Sequence, residues 1–420
     1  MHPQRSASRP LRVLPPRMHR RRLFILGSTG SIGTSALDVV RDLAAKGTRS
    51  FEIAGLAAAR NGGLLSEQAR EFGAGSIAVA SGDAAVEVPA GTRVYRGQSA
   101  AEEMLATEAR RGDIVLAAMV GAAGIGPALV AIERGCDLAL ANKEALVAAG
   151  AVVMPAARAA GVRVIPVDSE HNALYQCLKG SRSAEEIRRV VLTASGGPFR
   201  RRSRDEMVRA TVDDALAHPT WRMGPKVTID SASLMNKALE LIEAHWLFGL
   251  GSDRIDAIVH PQSIVHGFVE FVDGSVLAQL SPPDMRTPIQ QAICDPDRLD
   301  GPARRLDFAS LRALEFEPVD ADRFPAIRLA HAVIERGGTA GAVLNAANEV
   351  AVGAFLERRI GFLDIATTVA AALEALRPTP VRSLADVLEA DRETRLWAAD
   401  RLLGAAGARS MAGGSAGDPS

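Results

Sequence analysis

The sequence predicts an α/β fold: an N-terminal Rossmann-like, doubly wound parallel sheet, a central α/β domain and a C-terminal helical bundle. Three observations predict it. Short apolar runs alternate with helical patterns over the first 167 residues, a glycine-rich turn joins the first run to the first helix, and segments of helical period close the chain. The expected divisions are a basic, disordered leader (1–20), a nucleotide-binding domain (21–167), a catalytic and dimerisation domain (168–294), a linker (295–322), a helical domain (323–403) and a flexible tail (404–420).

With 420 residues the chain is long enough for more than one core. Zero formal net charge excludes the broad basic surface of a nucleic-acid binder. No apolar run approaches the roughly 18 residues that a membrane span needs. Three cysteines, Cys136, Cys177 and Cys294, have no paired spacing, which argues for a reducing compartment and against a thiolate zinc site. Residues 1–22 carry seven arginines and no acid. Such a leader is compatible with a plastid-type transit peptide, but Met18 as an alternative start, with 1–17 an upstream extension, is the reading taken. Arginine outnumbers lysine 44 to 5, as in proteins of GC-rich bacteria, so a bacterial cytoplasmic location is expected.

Arg22-Leu23-Phe24-Ile25-Leu26 reads as the first strand. It runs into Gly27-Ser28-Thr29-Gly30-Ser31-Ile32-Gly33 and a helix through Leu37, Val40 and Leu43. Strand, glycine turn and helix form the context of a dinucleotide site, in which the helix N-terminus offers free N–H groups to a pyrophosphate. After the next strand, 51–56, an NAD site would place an acid. Here stand Ala58-Ala59-Arg60-Asn61, and the cation favours a 2′-phosphate, so NADPH is expected. Strands at 77–79, 114–117 and 137–141 continue the sheet, the last ending in Asn142-Lys143-Glu144 at the carboxyl edge, where cofactor could meet substrate.

Asp168, Ser169 and Glu170 follow another apolar run, 162–167. On an extended segment residues i and i+2 point to one side, so both carboxylates are expected to converge on one hard cation, Mg²⁺ or Mn²⁺. Thr193-Ala194-Ser195-Gly196-Gly197-Pro198 can wrap an anion. His218-Pro219-Thr220-Trp221-Arg222-Met223-Gly224 reads as a loop whose exposed Trp221 forms a lid. Asn236, Lys237 and Glu240 share a helical face. Lys237, Ser231 and Asn236 suit a phosphate, and Glu240 could supply a third metal carboxylate. Without a cation, three such carboxylates would repel one another.

Residues 255–259 form a strand, and 263–271 with 275–280 form a hairpin around Asp273-Gly274. Its open edge suits a second subunit. His260 and His266 lack a carboxylate at metal-ligand spacing and are not read as ligands. Helical segments are expected at 324–335, 339–358, 363–376 and 383–403, the last capped by Ser383 with Asp386.

Taken together, GSTGSIG, LANKEALV, PVDSEHNA, TASGGPF, HPTWRMGPKVTIDSASLMNKALE, HPQSIVHG, SPPDMRTPI and LNAANE resemble the 1-deoxy-D-xylulose 5-phosphate reductoisomerase family, in unbroken order over residues 20–400. The resemblance implies metal ligands at Asp168, Glu170 and Glu240. It implies substrate contacts at Lys143, Ser169, Glu170, Ser195, His218, Ser231, Asn236, Lys237 and Glu240, and NADPH contacts at Thr29, Gly30, Ser31, Ile32, Arg60, Asn61, Asn142, Glu144 and Gly224. Catalytic roles would fall on Lys143, Asp168, Glu170, His218 and Glu240, with Glu170 the best candidate for general base. Where family members often read Gly-Lys-Asn, this chain has Ala59-Arg60-Asn61. The implied protein is a homodimer acting on a phosphorylated ketose. It rearranges the carbon skeleton and reduces the product with NADPH. The competing classes are another oxidoreductase, such as a semialdehyde or homoserine dehydrogenase, and a non-catalytic NADPH sensor. The sensor would have no use for Asp168, Glu170, Glu240 and Lys237 together, and an acylating semialdehyde dehydrogenase needs a thiol nucleophile that no cysteine motif here supplies.

Overall fold

A computed structural model describes residues 21–413 except Asp83 and Arg222. The expected leader and the end of the expected tail, 414–420, lie outside the described residues. Seven strands build the first sheet: β1 (Arg21–Leu26), β2 (Phe51–Ala58), β3 (Ser76–Val79), β4 (Arg93–Arg96), β5 (Ile114–Ala117), β6 (Asp137–Leu140) and β7 (Val164–Pro166). Their order is β4-β3-β2-β1-β5-β6-β7, and every pairing is parallel. The apolar runs Leu23–Leu26 and Ile114–Ala117 are fully covered, as strands flanked by helices on both faces must be. The order reverses at β1, so the crevice beyond the carboxyl ends of β1 and β5 is the topological switch point where such sheets bind ligands.

The second sheet joins β8 (Ile187–Ala194), β9 (Ile255–Val259), β10 (Val265–Phe271), β11 (Val276–Leu280) and β12 (Glu317–Pro318) in the order β11-β10-β8-β9-β12. It is mixed: β8 and β9 run parallel, while β10 pairs antiparallel with both β8 and β11. The hairpin at Asp273-Gly274 is present, and Asp273 accepts from the Ser275 N–H at 2.9 Å. Helix Met235–Phe248 lies beneath this sheet, with Ala238, Leu239, Leu241 and Ile242 buried.

Four expectations need correction. No extended segment carries Asp168 and Glu170. Helix Ser169–Leu178 starts at once, with Asp168 as its N-cap residue and Glu170 in its first turn. The expected linker is not free of structure, because β12 adds an edge strand to the second sheet. Helix Arg286–Cys294, assigned to the second domain, buries Ile289 and Ile293 in the core of the first sheet beside Leu37 and Val40. The tail is helical to Gly413 as a continuation of helix Leu384–Gly413, whose alanines favour the extension. The other C-terminal helices, Ala326–Arg336, Ala340–Leu356 and Asp364–Ala375, match expectation within three residues. At the last helix, the Ser383 N–H donates to Asp386 at 2.8 Å.

Candidate active site

A cavity of about 840 Å³ opens between the two sheets. Gly30, Ser31 and Ile32 reach it from the first βα turn, and Lys143 and Glu144 from the end of β6. From the other side come Asp168, Ser169, Glu170, Ser195, Trp221, Gly224, Ser231, Asn236, Lys237 and Glu240.

The nucleotide-side rim is backbone. A Cβ on Gly27 would stand 2.4 Å from the Ala118 carbonyl oxygen, and one on Gly33 would stand 2.4 Å from that of Gly27. Only glycine lets the turn close this tightly. No side chain caps helix Ser31–Ala45, so its first N–H groups face the cavity rim with the positive end of the helix dipole. Arg60 and Asn61 are exposed just beyond β2, and the Asn61 side chain caps the next helix through the Leu64 N–H at 3.1 Å. Thr29 is half-buried in the turn. Asn142 is buried and turned inward, donating to the carbonyl oxygens of Met119 and Gly121 and accepting from the Ala145 N–H at 2.7 Å. Its side chain serves the loops rather than the cavity.

The opposite wall is a charge cluster in which Lys237 and Glu240 are buried and Lys143, Asp168 and Glu170 half-buried. Lys143 Nζ lies 2.6 Å from Asp168 Oδ2, 3.0 Å from Glu240 Oε1 and 2.8 Å from Asn236 Oδ1. Lys237 Nζ lies 2.7 Å from Glu170 Oε1 and also contacts Glu240 Oε2. The three carboxylates do converge, then, but two ammonium groups already separate them. These ammonium groups offset the repulsion expected of three carboxylates brought together. Burial opposes ionisation of Glu170, yet the adjoining Lys237 and the Ser169 hydroxyl outweigh it and hold the carboxyl at about 2. Burial raises the carboxyl of Asp168, against the pull of Lys143. Burial likewise works against both lysines, but their carboxylate partners keep them charged. Asp168, Glu170 and Glu240 are all oxygen donors lining one cavity, and the set fits a hard divalent cation.

Behind this wall the sequence reading missed two residues. His171 and Glu243 are fully buried; His171 Nε2 meets the Glu240 carbonyl oxygen at 2.8 Å, and Nδ1 faces Glu243 Oε2 at 3.4 Å. Burial and then the Asp168 charge push the Glu243 carboxyl well above its usual range. Glu243 lies one position short of a helical turn beyond Glu240, and His171 directly follows Glu170; both spacings were signals in the chain.

His218 anchors the loop before Trp221. Its Nδ1 accepts from the N–H groups of Thr220 (3.1 Å) and Trp221 (2.9 Å), so the ring hydrogen sits on Nε2. Nε2 is 3.0 Å from Ser195 Oγ and 3.1 Å from Ser231 Oγ. Trp221 is half-buried rather than exposed, its indole leaning toward the His266 ring at 6.5 Å while it lines the cavity. His260 is bonded to the Glu315 carbonyl oxygen and His266 to Ser281. The three cysteines are buried; burial pushes the Cys136 thiol up to about 12, and those of Cys177 and Cys294 up to about 11. None is a nucleophile in this state.

Profiles described as 1-deoxy-D-xylulose 5-phosphate reductoisomerase match residues 23–150, and its C-terminal domain profiles match 164–248 and 280–397. A reductoisomerase of that name from Sinorhizobium medicae is 51% identical over 389 residues, 91% of this chain and 98% of its own. One from Chlorobium phaeobacteroides is 49% identical over 390 residues, again 91% and 98%. The chain belongs to the 1-deoxy-D-xylulose 5-phosphate reductoisomerase family. Among solved structures, the Zymomonas mobilis enzyme in complex with NADPH superposes with a TM-score of 0.82 at 41% identity, covering 91% of this chain and 99% of its own. A reductoisomerase in complex with NADPH, fosmidomycin and magnesium superposes at 0.83 and 37% identity, covering 91% and 98%.

Proposed function

We infer that the protein converts 1-deoxy-D-xylulose 5-phosphate to 2-C-methyl-D-erythritol 4-phosphate, using NADPH and a divalent metal, as a step of non-mevalonate isoprenoid synthesis. It is an NADPH-dependent oxidoreductase. The observation that carries the reading is the meeting, in one cavity, of Asp168, Glu170 and Glu240 with Lys143, Lys237 and an uncapped helix end. Gly30, Ser31 and Ile32 would hold the pyrophosphate, with Arg60 at the 2′-phosphate. Asp168, Glu170 and Glu240 would hold Mg²⁺ or Mn²⁺, which as a Lewis acid polarises a carbonyl and favours an ionised hydroxyl. NADPH supplies the hydride for the reduction.

The remaining work falls to side chains. Ser195, Ser231, Asn236, Lys237 and the Nε2–H of His218 would receive the substrate phosphate. Lys143, charged and half-buried, orients a substrate oxygen and stabilises negative charge that develops on it. Glu170, ionised at neutral pH, can accept a substrate proton. Trp221 covers the cavity and retains the aldehyde intermediate until it is reduced. Strand β11 leaves an edge with Val276 and Leu277 exposed, which supports a homodimer. Among the described residues no helix is long and apolar enough to cross a membrane, and a bacterial cytoplasmic location is proposed. The test is NADPH oxidation with the ketose phosphate, with and without a chelator. Turnover that survives removal of all divalent metal would overturn the metal assignment, and no turnover with metal present would overturn the function.

A further inference from the structure

Several ion clusters join separate parts of the molecule, and two of those built on lysine are accounted for. The Lys143–Lys237 cluster is the site itself, and the Asp295 cluster with Arg163 and Lys179 ties helix Arg286–Cys294 to the first sheet. A third centres on Lys226, which no motif reading singled out. Its Nζ lies 2.9 Å from Asp230 Oδ2 and 3.3 Å from Glu144 Oε1. The second oxygen of Asp230 accepts from Asn348 Nδ2 at 2.8 Å, in helix Ala340–Leu356. Glu144 and Asp230 are both buried. One ammonium therefore joins the end of β6, the helix that follows the Trp221 loop and, through Asp230, the C-terminal bundle.

We propose that Lys226 is a positioning residue that anchors the far end of the Trp221 loop. The described residues of the loop, 217–221 and 223–224, form no helix or strand, and the loop hangs between two attachments. At its start, His218 is fixed to Ser195 and Ser231. At its end, Gly224 opens helix Pro225–Ala232, and Lys226 in the first turn pins that helix across the cavity mouth to Glu144. A lid works only if its hinges are defined while its tip moves. Lys226 gives the second hinge a fixed bearing on the nucleotide-side wall, so the loop closes over a cavity whose two walls are held in register. The Lys226 ammonium serves here as a point charge shared by two carboxylates.

This inference rests on the function proposed above, and its test separates the two. In the full chain, Lys226→Met is expected to speed amide hydrogen exchange of residues 217–224 roughly tenfold without ligand. It is also expected to raise the KM for the ketose phosphate about tenfold while NADPH affinity changes less than about threefold. Lys226→Arg should restore both to near wild type. Should Lys226→Met fail to fold, the isosteric Asp230→Asn, which keeps the Asn348 bond, should show the same exchange and KM changes in milder form. Wild-type exchange in the loop with a wild-type KM, in whichever variant folds, would overturn the anchor. An inactive wild type would instead overturn the function, and the exchange arm would still decide the anchor.

Discussion

Across the cavity from the Gly30 turn, where an uncapped helix end is bounded by glycine and small side chains, the half-buried Asp168 and Glu170 and the buried Glu240 and Glu243 gather around Lys143 and Lys237. At the Gly30 turn the first wall commits no charged side chain, so an anionic group can dock at that helix end without breaking an ion pair. The second wall is already paired with itself. A cation or a phosphate must compete with ion pairs whose rupture in a buried setting is costly. Ligand binding on the nucleotide side should therefore be robust to substitution, whereas on the charged side each group depends on the others.

The largest effect should come from removing a carboxylate from the charged wall. Asp168→Asn, Glu170→Gln or Glu240→Gln should lower kcat by on the order of 10²–10³ and weaken Mn²⁺ binding, leaving NADPH affinity nearly unchanged. Glu240→Gln should be the most damaging, because both lysines share that carboxylate. Calorimetric titration with Mn²⁺ and with NADPH separates the walls. Equal loss of both ligands would mean that they are not independent.

Lys237→Ala should come next, raising the KM for the phosphorylated substrate by about 1.5–3 kcal/mol, or roughly 10–100-fold. It also carries a pH signature. Glu170 titrates at about 2 in the folded chain against 4.5 ordinarily. Its pairing therefore stabilises the fold fully above 4.5, and that contribution is lost as pH falls toward 2. With Lys237 gone, acid denaturation should show a shallower loss of stability across that window. An unchanged acid limb together with an unchanged KM would remove Lys237 from both roles.

The two walls also differed in how much of them the sequence revealed. The strand, glycine turn and helix of the nucleotide wall were readable because they are local and their spacing carries the geometry, whereas the inward turn of Asn142 was not. The carboxylates were readable as residues but not as an arrangement. That Lys143 falls between Asp168 and Glu240, and that Lys237 meets Glu170, depend on contacts between residues 67 and 97 positions apart as well as on the nearer Lys143–Asp168 pair. The same limit hid Lys226, whose partners Glu144 and Asp230 come from different elements. It also hid β12, two residues long and held only by its pairing to β9, and the packing of helix Arg286–Cys294 on the first sheet.

On the nucleotide wall a smaller and more selective effect is expected. Arg60→Glu should weaken NADPH binding about tenfold relative to NADH, since Arg60 is exposed beyond β2 with only a charge to offer. Competitive fluorescence titration with the two cofactors reads this directly. Parallel loss for both would place the 2′-phosphate elsewhere.

The smallest effect is a pH dependence at the junction of the walls, where His218 holds the Trp221 loop. Burial depresses the imidazole below 6.5. Between that value and the lower folded one, the unfolded chain takes up a proton that the folded chain refuses. The neutral ring therefore contributes stability that is present above 6.5 and lost as the solution is acidified toward the folded value. Protonation would also place a hydrogen on Nδ1, where Thr220 and Trp221 now donate, so loop and ring should be released together. His171 and His266 are depressed too, and the bare slope of melting temperature against pH mixes all three. The informative quantity is the difference from His218→Asn, whose Oδ1 can accept the same two N–H groups but does not titrate. Between about pH 5 and 8 the wild type should lose more stability on acidification than the variant, and its Trp221 emission should shift over the same interval. Superimposable curves would show that the histidine stays neutral throughout, or that the loop does not depend on it.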